Sequence, residues 1–171
     1  GKLYKRFADH IGLFPLVMVS PSDSNLVLGG SEERRKFMDG VISQYNSAYL
    51  EGLIRYNRIL IQRNNLLKQV GPGGKPDEEM MEVYNGELVR YGEEIHRHRS
   101  GFVKNLIPVF QQYYSFIAGG YEKVGLEYLS GLSAKPFEEL LRESVSADNA
   151  LQYTTEGVHK DDLTLTIEGY P

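Results

Sequence analysis

SEERRKFMDGVISQYNSAYLEGLIRYNRILIQRNNLLK, Ser31 to Lys68, is almost free of glycine and proline and carries arginine at regular intervals. Its spacing predicts helix. Phe37, Val41 and Ile42 form one apolar stripe, and the chain is expected to restart as a new helix near Asn46-Ser47. From Tyr49 to Val70 the apolar positions Leu50, Leu53, Ile54, Leu60, Ile61 and Leu67 follow the 3.6-residue period. Arg55, Arg58 and Gln62 fall at i, i+3 and i+7 on the other face, with Arg63 to the side. Glu51 is the only acid between Tyr49 and Val70, so the arginines lack the carboxylates that a salt-bridged helix would supply. Spaced guanidinium groups suit a phosphate backbone, and they equally suit a carboxylate-rich partner.

Outward from this run the helical character persists. Gly71 to Pro76 is a breaker, and Pro76-Asp77 opens a second long helix. In it Met81, Tyr84, Leu88, Tyr91, Ile95, His98 and Phe102 step alternately by three and four, as a coiled-coil-like seam does. Pro108 is expected to kink or restart this helix, and Gly119-Gly120 to end it. Upstream, Leu3–Ile11 reads as a short helix and Phe14–Val19 as a buried strand, followed by a short helix ending at Gly29-Gly30. Downstream, Val124–Leu132, Leu151–Thr155 and Leu163–Ile167 read as strands, with a short helix over Pro136–Ser144. The fold class is therefore mainly α: a long helical hairpin or bundle flanked by a few short strands.

The chain has 171 residues, a net charge of -4 and no cysteine. The charge confines any polyanion site to a local basic patch. The missing thiols exclude disulfides and thiolate metal sites and fit a reducing cytoplasm, the expected location. No apolar run is long enough to span a bilayer, and no secretory signal is visible. Both ends read as cuts inside a longer protein.

Arg34-Arg35 follows a Gly-Gly turn in the first turn of a helix, where a phosphate contact competes with pairing to Glu32, Glu33 or Asp39. His96 and His98 do not converge on a helix, so no metal site is expected there. His159-Lys160-Asp161-Asp162, in a polar loop, is the best candidate for chemistry: its carboxylates could hold Mg or orient a water, or the segment is an ordinary turn. No G-x-x-x-x-G-K-S/T run exists, so these residues alone cannot cradle a nucleoside triphosphate, and no catalytic set is complete.

Taken in order, several segments resemble the RecF family of bacterial DNA replication and repair proteins. Gly30-Ser31-Glu32-Glu33-Arg34-Arg35-Lys36-Phe37-Met38-Asp39 is similar to its G-x-P-x-x-R-R-x-F-L-D. Tyr56, Leu60 and Gln62-Arg63-Asn64-Asn65-Leu66-Leu67-Lys68 resemble its Y-x-x-x-L-x-Q-R-N-x-x-L-K helix. Leu88, Gly92, Ile95 and Arg99 fit its L-x-x-x-G-x-x-I-x-x-x-R, and Tyr153-Thr154 with Gly157-Val158-His159-Lys160-Asp161-Asp162-Leu163 resembles its Y-T…G-P-H-R-D-D-L. Pro21-Ser22-Asp23-Ser24-Asn25-Leu26-Val27 is similar to its P-E-D-L-x-L-V with departures at Ser22 and Ser24, and further departures stand at Glu32 and Val158.

The resemblance implies an ABC-type ATPase with a head and a helical lid. Residues 31–150 would be the lid, and 1–30 and 151–171 border segments of the head. Walker A would precede Gly1, and the signature and Walker B would follow Pro171, so this stretch is not expected to be an enzyme. In the intact protein ATP and Mg would be the cofactors, pairing would make a homodimer, single-strand/duplex DNA junctions would be bound, and RecR, RecO and RecA would be the partners. Arg34, Arg35, Arg55, Arg58, Gln62 and Arg63 are the candidate DNA or partner contacts. His159, Lys160 and Asp161 would lie near the nucleotide or the dimer seam. A rival expectation is a lid that binds only its twin or RecR.

Overall fold

Asn46 ends one helix and begins the next. In the computed structural model, which describes residue 11 and residues 20–70 and 75–170, α1 spans Asn25–Leu28, α2 Ser31–Tyr45 and α3 Ser47–Val70. Asn46 leaves the helical region (φ −135°, ψ 93°), and its side-chain oxygen accepts the Tyr49 amide at 3.0 Å. That bond satisfies one of the orphan donors at the start of α3, and it is the expected restart. Asp77 does the same for the 40-residue α4, Glu78–Ile117, by accepting the Met80 amide at 3.0 Å. The readings over Leu3–Val19 fall outside the described residues, apart from Ile11, an exposed turn residue.

Pro108 does not restart α4, which runs through it. Proline deprives the carbonyl four residues back of its donor. That carbonyl belongs to Lys104, an exposed residue that water can serve.

The chain divides into two compact units, and α3 and α4 each contribute to both. The first comprises Gly1–Leu50, His98–Leu129 and Asp162–Pro171. Among the described residues its sheet has two antiparallel strands, β1 (Val124–Leu129) and β2 (Asp162–Ile167), in register from Val124 opposite Ile167 to Leu129 opposite Asp162. Leu126 and Leu163 are buried, as are Met38 and Ile42 of α2 and Val103 of α4. The Phe37 and Phe102 rings meet edge-on at 6.1 Å. The strand expected to reach Leu132 stops at Leu129, because Gly131–Ser133 turns as a 3-10 helix that starts on the Ser130 hydroxyl.

The second unit comprises Glu51–Arg97 and Ser130–Asp161. Besides its parts of α3 and α4 it holds α5 (Phe137–Glu143) and α6 (Val145–Leu151). Phe137 is fully buried, and a Cβ on Gly92 of α4 would lie 2.6 Å from its ring. Gly157 has φ 132° and faces the Tyr56 hydroxyl and Phe137, so both its backbone and its surroundings demand glycine. The strand read over Leu151–Thr155 does not form. Leu151 closes α6, Gln152 turns left-handed (φ 58°), and the amides of Thr154 and Thr155 go to side chains, Asn64 Oδ1 and Asp148 Oδ1, each at 2.8 Å. Donors satisfied in this way have no need of a sheet partner.

Both long helices are rotated from the expected stripes. On α3 the buried positions are Tyr49, Gly52, Tyr56, Ile59, Arg63 and Leu67, whereas Ile54 and Ile61 are 42% and 61% exposed. On α4 the seam holds through Leu88, Tyr91 and Ile95, then moves to Arg99 and Val103 in place of His98 and Phe102. A straight helix drifts about 20° per heptad against a strict 3.5 repeat, which carries the stripe over by one residue.

Candidate functional site

The candidate arginines separate into internal clamps and an outward face. Arg34, at the start of α2, grips Asp162 at the start of β2 with two bonds, Nε to Oδ1 at 2.7 Å and Nη2 to Oδ2 at 3.0 Å. Its Nη1 donates to the Gly29 carbonyl at 2.7 Å. The expected pairing with Glu32, Glu33 or Asp39 is replaced by a partner 128 residues away. A fork–fork pair of this kind fixes geometry as well as charge. Arg35 is half-buried on the same helix and lends its charge to Asp162.

The Arg34 guanidinium, with the Leu163 amide in a lesser role, holds the Asp162 carboxyl below the usual carboxylate range against the opposing effect of burial. The folded value is depressed, so the pair contributes stability above the unfolded carboxylate pKa of about 4 and loses it as pH falls through the lower folded value. Arg34→Met is expected to flatten the acid limb of the urea-midpoint-versus-pH curve below about pH 4. An acid limb as steep as wild type would contradict this.

Arg63, 1% exposed, is the centre of a second clamp. It donates to Asn85 Oδ1 (2.8 Å), to Asp148 Oδ2 (2.8 Å) and to the Thr154 hydroxyl (2.7 Å). Thr154 in turn donates to Asn64 Oδ1 at 2.7 Å, and Asp148 accepts the amide and hydroxyl of Thr155. A guanidinium so enclosed cannot meet an outside anion. Arg63, a candidate DNA or partner contact, instead joins Asn64 in tying α3 to α4, α6 and the turn after α6.

A third clamp lies outside the candidate site residues. Arg99 holds Asp39 through Nε and Nη2, both at 2.9 Å, while the Tyr49 hydroxyl donates to the same carboxylate. Tyr49 also stacks edge-on with His98, ring centres 5.6 Å apart. The seam read from the sequence passes through His98 and so misses Arg99; the available signal is its place four residues after Ile95 in the L-x-x-x-G-x-x-I-x-x-x-R pattern.

His159 sits in a 3-10 turn, Val158–Lys160. Its Nε2 lies 3.0 Å from the Thr154 carbonyl, which only accepts, so Nε2 carries the proton and Nδ1 accepts from the Tyr56 hydroxyl at 2.9 Å. Both ring nitrogens are thus engaged within the unit. Lys160 lies 4.9 Å over the Tyr153 ring, and Asp161 is 1% exposed. Among the described residues no group of histidines and carboxylates could hold a metal. No helix of the described residues is long and apolar enough to cross a membrane.

What remains outward is α3. Arg55, Arg58 and Gln62 are all exposed, and neither arginine makes an ion pair with a described residue. With Arg34 and Arg63 locked inside, this face holds the candidate arginines best placed for an external anion.

No family model matches the chain. Among solved structures it is similar to the recombination mediator protein RecF with ATP in the RecFOR pathway, with TM-score 0.84 and 29% identity over 94% of this chain and 45% of that one. It is also similar to the RecF–ATPrS form, with TM-score 0.89 and 28% identity over 98% and 47%. The fold is shared with a stretch of a recombination mediator protein. The curated relatives agree: RecF of Flavobacterium johnsoniae is 44% identical over 171 residues, all of this chain and 48% of that protein, and RecF of Bacteroides thetaiotaomicron is 47% identical over 99% and 45%. The chain belongs to the RecF family and spans about half the length of the curated relatives it matches.

Proposed function

We propose that this chain is the helical lid stretch of a RecF-type recombination mediator, with residues 31–150 as the lid and 1–30 and 151–171 bordering an ABC-type ATPase head. The observation that carries the reading is the likeness to RecF along the whole chain, at 44–47% identity. In the RecF-length protein, ATP with Mg would pair two heads into a clamp at single-strand/duplex junctions, and RecR and RecO would join it in loading RecA at gaps. This stretch would contribute contacts rather than hydrolysis. Its clamps keep the helices fixed, and Arg55 and Arg58 offer charge to an external anion.

Two observations favour a protein-contacting role for α3 beside the DNA-contacting one. The net charge of -4 gives no general attraction to a polyanion, and isoleucines stand exposed among the arginines. The mediator reading is tested on the RecF-length protein by titration against gapped and continuous duplex DNA, with and without ATP. The expected result is an ATP-dependent preference for the gapped substrate of about tenfold or more, equivalent to about 1.4 kcal/mol. Equal affinity for both substrates whatever the nucleotide would sink it.

A further inference from the structure

We infer that the outward face of α3 docks an acidic amphipathic helix of a partner protein; the inference rests on the proposed role of α3 as a contact element and specifies what it contacts. Ile54, Arg58, Ile61, Asn65 and Lys68 step by four and three, which is the spacing of a helix–helix seam, and all of them are exposed. Ile54 and Ile61, 42% and 61% exposed, stand one heptad apart at equivalent positions. Arg55 and Gln62 flank them, also one heptad apart and also exposed. The helix therefore carries a second seam facing away from its buried one.

The chemistry of this seam selects among occupants. A phosphate backbone offers nothing apolar to two isoleucines, and a face evolved for it alone has no use for them at the centre of the stripe. A helix bearing leucine or isoleucine every seventh residue covers them, and binding through such anchors is the helix-in-groove mode. The charge is one-sided. Arg55, Arg58 and Lys68 are exposed on α3, and Glu51, at its start, is its only carboxylate. A partner helix with glutamate beside its apolar residues is complementary, because arginine next to a desolvated apolar contact is a typical interface anchor. A second copy presenting this same face would set arginine against arginine, which disfavours it.

The test uses the chain with three probes: a labelled synthetic helix of three heptads with leucine on one face and glutamate flanking it, the same helix with lysine in place of glutamate, and a gapped DNA duplex. The acidic helix is expected to bind saturably, and the lysine helix about tenfold or more weaker. Ile54→Ser/Ile61→Ser and Arg55→Ala/Arg58→Ala, all at exposed positions, are each expected to weaken the acidic helix by about tenfold, with circular dichroism unchanged. Failure of the acidic helix to saturate, or indifference to the isoleucine pair, overturns the inference. DNA binding that depends on the arginine pair and not the isoleucine pair assigns the face to phosphate and overturns it too, while leaving the mediator reading standing. Dimers in sedimentation that the isoleucine pair abolishes would assign the face to a second copy, with the same consequence. Conversely, loss of gap preference in the RecF-length protein would remove the mediator reading without touching the peptide result.

Discussion

Arg63→Ala is expected to lower the stability of the unit built from Glu51–Arg97 and Ser130–Asp161 by about 3–5 kcal/mol. The size follows from burial. Arg63 and Asp148 each have 1% of the side chain exposed, so removing the guanidinium leaves a carboxylate enclosed without its counter-charge. The loss spreads, because Arg63 also donates to Asn85 and to the Thr154 hydroxyl, and Thr154 anchors on Asn64. With a urea m-value of about 2 kcal/mol/M, the midpoint should fall by about 2 M. The paired substitution Arg63→Met/Asp148→Leu separates two explanations. If the alanine penalty comes from a stranded charge, the apolar pair should recover most of it, since buried ion pairs replaced by packed apolar groups are often neutral or better. If the pair instead fails as badly as the single change, the hydrogen bonds to Asn85 and Thr154, not the charge, hold the unit. Either outcome distinguishes Arg63 from Arg55 and Arg58, whose removal is expected to leave the unfolding free energy within about 0.5 kcal/mol of wild type, as exposed substitutions usually do.

Arg63 also shows where reading the sequence stops. Helix and cap signals are strong enough to place α2, α3 and α4, because Asn46 and Asp77 act locally through the backbone. The direction in which α3 faces was not legible. Ranking residues by hydropathy puts Ile54 and Ile61 inside and Arg63 outside, yet Arg63 is buried and Ile61 is 61% exposed. The deciding facts are Asp148, 85 residues away, and Thr154, 91 away, and no local period reports partners at that distance. The same holds for Arg34, whose flanking acids suggested a short-range pair and whose actual partner is Asp162. The Leu151–Thr155 segment failed for a related reason. Its threonines look like strand formers, but their amides are taken by Asn64 and Asp148, which fixes a turn. What did carry over was chemistry by type: each misplaced arginine still met a carboxylate, only an internal one.

Arg99→Leu is the complementary case in the other unit, and it is expected to cost about 3–5 kcal/mol, again read as a fall in urea midpoint. Arg99 is 3% exposed at the side chain and Asp39 18%, so the carboxylate keeps a little water and the penalty should fall toward the lower end. Burial, with Asp39 alongside, pushes the Tyr49 hydroxyl well above its ordinary range, and Arg99 opposes that rise. A folded-state value raised in this way gives stability that is complete below the unfolded tyrosine pKa of about 10 and drains away as pH climbs beyond it. Tyr49→Phe should therefore remove part of the alkaline loss of stability while lowering stability at neutral pH, where the hydrogen bond to Asp39 is intact. In Arg99→Leu the cation that eases tyrosine ionisation is gone, so the alkaline loss should continue to higher pH even as the neutral-pH stability drops. Measured together, the two variants move the alkaline limb in opposite directions. That pattern follows only if Tyr49, Asp39 and Arg99 act as one enclosed network; a common shift of both curves without change of slope would mean that Arg99 acts through packing alone.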